Sequence, residues 1–203
     1  MADPTKLILA SASEGRAAIL RQAGIAFVQQ PAAVDERGLE RQAAAPRDGL
    51  AGPRLAGLLA AAKAEHVSAL SPNALVIGAD QVMECDDAIF HKPATIEGAK
   101  QQLRRLRGKS HCLSTAICVA SGGKAVWHYL DEAELTMRDF SDEFLDDYCR
   151  AEGEAMLQSV GAYRIEGLGI QLFSDIEGDH FTIIGLPLLP LLGYLRHRGC
   201  IAR

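Results

Sequence analysis

The order of strand-like and helix-like segments predicts an α/β fold for this chain. Two short apolar runs of strand character, at residues 6–10 and 74–77, are each followed by a helical pattern further along the sequence. A third segment, residues 111–120, alternates between apolar and polar positions, and a glycine turn returns it as a long strand at residues 125–137. With 203 residues, the chain can form one substantial domain or two small lobes that share a cleft.

Composition and charge restrict the functional class. A hydrophobic content of 48% and a mean hydropathy of +0.04 favour a packed core. No apolar run is long enough to span a bilayer, and the first residues lack a signal-peptide pattern, so we expect a cytoplasmic protein without a membrane partner. The five cysteines are scattered, which indicates neither a zinc site nor a disulfide framework. A net charge of −5 argues against a nucleic-acid polymer as partner but allows one small polyphosphate.

The first loop is a candidate phosphate site. Residues 11–14 (Ser-Ala-Ser-Glu) fit a capping box in which Ser11 starts a helix. A strand, a serine-rich turn and a helix start bring free backbone N–H groups and the positive end of a helix dipole to one point. Arg16, in the first turn, adds a full charge there. The alternative is an ordinary capped helix with a surface arginine.

A central stretch supplies a candidate acid and a candidate base. Gly78 interrupts the apolar run at residues 74–77, and Asp80 follows two residues later, which predicts a carboxylate at the end of a buried strand, where α/β sheets bind ligands. A hairpin with its turn at residues 86–87 then leads to Lys92, which Pro93 biases toward an extended backbone. The alternative is a surface ion pair beside a turn.

A long helix is predicted from Pro53 to about residue 70, after an irregular, mobile connection at residues 40–52. Lys63 falls at the edge of its apolar stripe, where it could face a site or merely extend along the surface to solvent. His66 lies within the stripe and is predicted to pack in the core. The stripe consists of Leu55, Leu58, Leu59, Ala62, His66 and Leu70.

Several further elements are predicted in the second half of the chain. Thr95 and Ser141 are expected to cap helices, and residues 170–176 and 181–184 are read as strands before a final helix that begins at Pro187. The glycine-rich segment 161–169 contains one buried-looking carboxylate, Glu166. Neither the Gly-Lys-Ser triplet at residues 108–110 nor the glycines of segment 161–169 satisfy a nucleotide-binding fingerprint, because the required spacing and the following helix are missing.

An ordered set of eight short motifs resembles the Maf family of nucleoside triphosphate pyrophosphatases, also described as septum-formation inhibitors. Each motif alone is weak, but the set spans nearly the whole chain. The motifs are Leu9-Ala-Ser-Ala-Ser13 with Arg16, Val34-Asp-Glu36, Lys63-Ala64, Val76-Ile-Gly-Ala-Asp-Gln-Val82, Lys92-Pro93, Leu106-Arg-Gly108 with His111, Gly161-Ala-Tyr-Arg-Ile-Glu-Gly167, and Ile176-Glu-Gly-Asp179 through Gly185-Leu-Pro187.

The resemblance implies a single domain over residues 1–203, with a central mixed β-sheet flanked by helices and two lobes around a nucleotide-binding cleft, often as a homodimer. It also implies hydrolysis of a nucleoside triphosphate to a monophosphate and pyrophosphate with a divalent metal, Mg²⁺ or Mn²⁺. Attack on the α-phosphorus needs a base, a metal and cations on the leaving group. We assign the base to Asp80, the metal to Glu36 and Asp80, and the triphosphate to Ser11, Arg16, Lys63 and Lys92.

Gln81 and Glu166 resemble the family branch that acts on 7-methyl-GTP, whereas the branch that acts on dTTP and UTP tends to have Thr and Gln at these positions. A carboxylate accepts hydrogen bonds only, which suits the N–H groups of a guanine edge better than the carbonyls of a pyrimidine. Gly15 departs from the Arg or Trp common in the family and removes a nucleotide contact. A dTTP/UTP pyrophosphatase, a nucleotide-binding regulator of cell division without turnover, and a structural α/β domain with a vestigial cleft remain as alternatives.

Overall fold

The computed structural model describes residues 6–43 and 51–202, and its centre is one mixed β-sheet of seven strands. The strand order is β2-β1-β3-β5-β6-β7, with β4 paired to β3. β1 runs parallel to both of its neighbours, and every other pairing is antiparallel, as expected for a mixed sheet. The strands are Leu7–Leu9 (β1), Val28–Gln29 (β2), Leu75–Cys85 (β3), Ala88–Phe90 (β4), Ser110–Ser121 (β5), Lys124–Met137 (β6) and Phe173–Glu177 (β7).

Helices cover both faces of this sheet. On one face, α1 and α7 pack on a core that includes Leu9, Ile77 and Val119. On the other face, α3 packs through Leu55 and a row of alanines onto β3 and β5. The helices are Glu14–Gln22 (α1), Glu36–Ala43 (α2), Ala51–Leu70 (α3), Ile96–Leu106 (α4), Asp142–Glu152 (α5), His180–Ile184 (α6) and Leu188–His197 (α7), with short 3-10 helices at Gly153–Gln158 and Leu168–Leu172.

The prediction that the central strand stops at Gly78 is wrong, because β3 continues through Asp80 to Cys85. The glycine serves helix packing instead: a Cβ atom there would lie 2.3 Å from the backbone oxygen of Ala60 in α3. What ends near Gly78 is the parallel neighbour β1, whose last partner in β3 is Ile77, whereas β4 joins the same edge only at residue 83. In the described part of the chain, residues 78–82 therefore have no strand partner along this edge, and Asp80 lies in the gap.

The predicted hairpin turn at residues 86–87 and the predicted caps at Thr95 and Ser141 are confirmed. Asp86 and Asp87 adopt φ values of 52° and 61°, the left-handed pair that a two-residue hairpin turn requires between β3 and β4. Thr95 Oγ1 accepts from the backbone N–H of Gly98 at the start of α4. Ser141 caps α5 in the same way, and Phe140 packs beside Phe144 at the start of that helix.

Two segments predicted to be irregular or extended are helical. Residues 36–43 form α2, so part of the predicted connection at 40–52 is helix, and residues 44–50 lie outside the described residues. Residues 181–184 were predicted as a strand but belong to α6, whose first turn Asp179 caps by accepting from the N–H groups of Phe181 and Thr182.

The buried face of α3 also differs from the predicted stripe. His66 and Leu70 are exposed, and the helix instead buries a face rich in alanine, which allows close approach to the sheet. Pro53 lies inside the first described turn rather than at its first position. A smaller shift affects the predicted strand 170–176, which is a short 3-10 helix followed by β7.

Candidate active site

A cavity of about 1130 Å³ opens along the gap in the edge of β3. Its walls come from the loop before α1, from α2 and α3, from the residues after β4, from residues 158–166 and from α6. All of the residues that the sequence predicted for the site line this one cavity: Ser11, Arg16, Glu36, Lys63, Asp80, Gln81, Lys92 and Glu166.

Lys63 joins the two carboxylates that the sequence analysis assigned to a metal. Its Nζ atom lies 2.7 Å from Glu36 Oε1 and donates to Asp80 Oδ1 at 3.2 Å. The side chains of Lys63 and Asp80 are only 13% and 14% exposed, whereas that of Glu36 is 58% exposed. Lys63 therefore does not extend along the surface to solvent; it faces inward, because α3 presents this edge of its buried face to β3.

Arg16 is held almost entirely by the protein. Its Nε donates to the carbonyl of Gly185 at 2.8 Å, and its Nη1 donates to Ala79 O at 2.7 Å and to Ser11 Oγ at 3.1 Å. Nη2 lies 3.7 Å from Asp80 Oδ1. Burial lowers the pKa of the guanidinium, while the charge of Asp80 opposes that shift. Arg16 thus fills the gap in the β3 edge and links α1, β3 and the end of α6.

The capping-box prediction for Ser11 is wrong in its register. Ser13, not Ser11, is the N-cap of α1, and its Oγ accepts from Arg16 N at 3.4 Å. Ser11 Oγ instead accepts from the backbone N–H of Ser13 and from the Arg16 side chain. Among the described residues, the N–H groups of Glu14 and Gly15 have no acceptor, so the start of α1 still presents donors to the cavity.

Lys92 projects from the extended segment between β4 and α4 and is exposed at the cavity. It makes no ion pair with a residue in the described part of the chain. Desolvation by the cavity wall and the nearby charge of Arg16 lower the pKa of its ammonium group, with a smaller contribution from Lys63. The charges of Asp80 and Glu36 oppose this shift but do not cancel it, and an ammonium group without an ion-pair partner among the described residues favours an anionic ligand at this point.

Gln81 is fixed by a network that the sequence did not reveal. Its Nε2 lies 2.9 Å from Thr115 Oγ1, 2.9 Å from Thr182 O and 3.0 Å from Ile183 O. Backbone carbonyls can only accept, so this end of the amide must be the NH₂ group. Oε1 accepts no hydrogen bond from any residue within 6–43 and 51–202, and it remains as the acceptor that Gln81 offers to the cavity.

Glu166 is not the buried carboxylate that the sequence predicted. It is exposed in an irregular surface segment, and its Oε1 accepts from Arg164 Nε at 3.2 Å. The glycines around it serve tight local packing: a Cβ atom at Gly169 would lie 2.5 Å from the backbone oxygen of Arg164. Behind this segment, Tyr163 Oη and His111 Nε2 are hydrogen-bonded at 2.8 Å, a pair that the sequence analysis did not assign to the site.

The donor set for a cation is two carboxylates, those of Glu36 and Asp80. In the described ranges, no group of three or more His, Cys, Asp or Glu side chains is placed to hold a metal ion. Carboxylate oxygens are nevertheless the ligands that Mg²⁺ prefers, and one or two of them with substrate phosphates are its usual protein ligands. The residues present therefore fit a hard divalent cation. No helix within residues 6–43 and 51–202 is long and apolar enough to cross a membrane.

Comparisons with known proteins agree with this geometry. A nucleoside triphosphate pyrophosphatase of Paramagnetospirillum magneticum is 52% identical over 192 residues, which cover 95% of this chain and 98% of the relative. A 7-methyl-GTP pyrophosphatase of Brucella abortus is 47% identical over 200 residues, covering 97% and 98% of the two chains. A 7-methyl-GTP pyrophosphatase of Rhizobium etli is 48% identical over 196 residues with the same coverage. The family model described as Maf-like protein matches residues 6–198, and the chain therefore belongs to the Maf-like family.

Proposed function

We propose that this chain hydrolyses nucleoside triphosphates to a nucleoside monophosphate and pyrophosphate. The observation that carries the proposal is the meeting of Asp80 and Glu36 at the ammonium group of Lys63, inside a cavity that also holds Lys92. A base, a carboxylate pair for a metal and cations for a leaving pyrophosphate are the groups that this reaction needs. The names of the relatives, nucleoside triphosphate pyrophosphatase and 7-methyl-GTP pyrophosphatase, support the same assignment.

In the proposed reaction, Asp80 orients a water molecule and accepts its proton while the water oxygen attacks the α-phosphorus. The bond between the α-phosphorus and the oxygen that bridges to the β-phosphate breaks, and pyrophosphate leaves. Lys63 and Lys92 stabilise the charge that collects on the leaving group. The unpaired N–H groups at the start of α1 and one remaining edge of Arg16 hold the phosphates in place.

Glu36 and Asp80 would hold Mg²⁺ or Mn²⁺ together with the phosphate oxygens of the substrate. When bound, such a cation neutralises phosphate charge and makes the phosphorus a better electrophile. Lys63, which bridges the same two carboxylates, would then keep their orientation and contribute its own charge to the triphosphate.

We further propose a preference for guanine-type bases, 7-methyl-GTP among them. Gln81 offers its Oε1 as an acceptor because its NH₂ group is bound to two carbonyls and a threonine hydroxyl. Glu166, although it shares one oxygen with Arg164, adds a carboxylate to the same cavity. Two acceptors match the adjacent N–H donors of guanine and oppose the carbonyl edges of thymine and uracil.

A pyrophosphate-release assay tests the proposal. GTP, 7-methyl-GTP, ATP, dTTP and UTP are each incubated with the protein and Mg²⁺ or Mn²⁺, with a chelator in a parallel series. We expect equal amounts of monophosphate and pyrophosphate, the fastest release from guanine nucleotides, and loss of turnover on chelation. Nucleotide binding without any pyrophosphate release would contradict the enzymatic proposal and favour a regulatory protein. Fast release from dTTP or UTP with poor guanine turnover would contradict only the base preference.

A further inference from the structure

One wall of the cavity, residues 159–166, is wound tightly around a single side chain, that of Tyr163. Ser159 Oγ accepts from Tyr163 N at 3.0 Å and donates to Tyr163 O at 2.6 Å. Ala162 adopts a left-handed φ of 57°, an uncommon conformation for a residue with a side chain. A Cβ atom at Gly161 would lie 2.0 Å from the Tyr163 ring. The position of this wall is therefore set by where the Tyr163 ring is anchored.

The Tyr163 ring is anchored in the core behind the wall. It is 5% exposed, meets the Phe173 ring edge-on with centroids 4.8 Å apart, and lies 5.6 Å from the His111 ring. Its hydroxyl is 2.8 Å from His111 Nε2 and 3.9 Å from Met83 Sδ. His111 is on β5 and Met83 is on β3, two residues after Gln81. One hydroxyl thus connects the wall to the two strands that form the opposite side of the cavity.

The hydrogen bonds favour one tautomer of His111. With the proton on Nε2, the imidazole donates to the tyrosine oxygen and the tyrosine donates to the methionine sulfur, so both donors are used. Nδ1 is then a bare acceptor, which agrees with its being a buried atom without a partner among the described residues. Burial lowers the pKa of His111 to about 4, which keeps the ring neutral near pH 7.

A buried His–Tyr pair with one unpaired nitrogen stabilises a core less than apolar side chains of the same size would. An apolar side chain at position 111, together with a ring that lacks the hydroxyl at position 163, would fill the same space without a desolvated polar atom, so packing alone does not explain the pair. The pair adds a fixed position for the tyrosine ring. A hydrogen bond determines where the tyrosine hydroxyl lies, whereas apolar packing alone allows the ring to shift.

We propose that the His111–Tyr163 hydrogen bond is a positioning device for base selectivity. It holds the wall that carries Arg164 and Glu166 at a fixed distance from Gln81, so that the two acceptors can meet one purine edge together. His111 does not line the cavity and acts only through Tyr163. The inference rests on the proposed nucleotide pyrophosphatase function and deepens it by naming what sets its selectivity.

Three variants test the device. Tyr163→Phe removes only the hydroxyl, His111→Leu removes the partner, and His111→Gln retains an amide N–H near the position of Nε2. Tyr194→Phe is the matched control, because its hydroxyl is a buried group without a partner in the described part of the chain and lies outside the cavity. For each protein, kcat and KM are measured with GTP and with UTP, and hydrogen exchange is followed at the amides of residues 159–167.

We expect Tyr163→Phe and His111→Leu to lower the GTP-to-UTP ratio of kcat/KM by about fivefold or more, through a higher KM for GTP with kcat within about twofold. Exchange at residues 159–167 should rise in both, while His111→Gln recovers much of the ratio and Tyr194→Phe leaves it unchanged. A merely structural role would lower thermal stability and leave the ratio intact, which would overturn the inference.

The outcomes also separate this inference from the proposed function. Turnover by the wild type with an unaltered ratio in Tyr163→Phe overturns the positioning role alone. If the wild type binds nucleotides without turnover, calorimetric affinities for GTP and UTP replace kcat/KM, and the same loss of preference supports the positioning role while the enzymatic proposal fails. A wild type that neither hydrolyses nor binds nucleotides overturns both.

Discussion

Two groups of side chains in the cavity use their hydrogen-bonding capacity in opposite ways. Arg16 and Gln81 have most of their N–H donors bound by the protein: between them, Arg16 Nε and Nη1 and the Gln81 NH₂ group hold the carbonyls of Ala79, Thr182, Ile183 and Gly185, and so tie the end of α6 to β3. Within residues 6–43 and 51–202, the partners of the Lys63 ammonium group are the carboxylates of Glu36 and Asp80, and Lys92 forms no ion pair. We infer that the first group is the frame of the site and that the second is held ready for a ligand.

The same distinction limits how many hydrogen bonds Arg16 can offer to a phosphate. A guanidinium has five N–H donors, and three of those in Arg16 already bind protein oxygens. Its contribution to phosphate binding is limited to what remains at Nη2, which also faces Asp80. The five predictions that follow ask whether frame residues and ligand residues can be separated by experiment, in order of decreasing expected effect.

Substitution of Asp80, the proposed general base, should have the largest effect on turnover. Asp80→Asn keeps the shape of the side chain and removes its charge and most of its basicity, so turnover should fall by about two orders of magnitude or more. The free energy of unfolding should change little. Initial-rate measurements on the purified variant check this, with Asp86→Asn on the exposed hairpin turn as control. Near-wild-type turnover in Asp80→Asn would remove the base assignment.

Burial of the neutral His111 should make the stability of the protein sensitive to acid. His111 has a pKa of about 4 in the folded protein and about 6.5 when unfolded, so below pH 6.5 the unfolded state binds a proton that the folded state excludes. The free energy of unfolding should fall as the pH drops from 6.5 to 4, by up to about 3 kcal/mol from this residue. Denaturant titrations across this range should show a weaker pH dependence in His111→Leu. Equal slopes in both proteins would contradict the burial of a neutral histidine.

Arg16→Lys should be a stability variant. A lysine ammonium cannot reproduce the planar fork that reaches Gly185 and Ala79 together, so the free energy of unfolding should fall by about 2 kcal/mol or more. Arg21→Lys, on the same helix but exposed, should stay within about 0.5 kcal/mol of wild type. Denaturant unfolding measures both. Equal stabilities of the two variants would show that Arg16 is not part of the frame.

Substitution of Lys63 or Lys92 should lower activity rather than stability. Lys63→Ala and Lys92→Ala should each lower kcat/KM by about tenfold and leave the free energy of unfolding nearly unchanged. Lys124→Ala, at an exposed turn outside the cavity, serves as the control. Normal kinetics together with reduced stability in Lys63→Ala would mean that its ion pairs with Glu36 and Asp80 serve only the fold.

The smallest effect is expected for the preference between nucleobases. Glu166→Gln removes a charge that Arg164 already shares, so the preference for GTP over UTP should decrease by only a few fold, while hydrolysis of pyrimidine nucleotides changes little. The ratio of kcat/KM for the two nucleotides measures it, and an increase in that ratio would contradict the acceptor role of the carboxylate.

The sequence was sufficient to select residues that line one cavity, because they lie in short motifs whose order is recognisable. It failed where distant segments decide the geometry. Gly78 was interpreted as a strand end, since the approach of α3 that requires a glycine is invisible in the local pattern. The short helix α6 was read as a strand from its aromatic and β-branched residues, although Asp179 was available as its cap.

The frame was missed for a related reason. The contacts of Gln81 with Thr182 and Ile183, and that of Arg16 with Gly185, join residues more than a hundred positions apart. No local periodicity encodes such contacts. Glu166 was misjudged because a carboxylate flanked by glycines and apolar residues suggests burial, whereas the segment is a surface wall held from behind by Tyr163.

The most direct test of the central claim is the position of bond cleavage. The triphosphate of the panel that is hydrolysed fastest is incubated with the protein and Mg²⁺ in water labelled with a heavy oxygen isotope. The masses of the products are then measured by mass spectrometry. Attack on the α-phosphorus by a water that Asp80 activates places the label in the nucleoside monophosphate and leaves pyrophosphate unlabelled. Label in pyrophosphate, release of a single phosphate, or no cleavage of any nucleotide would contradict the account.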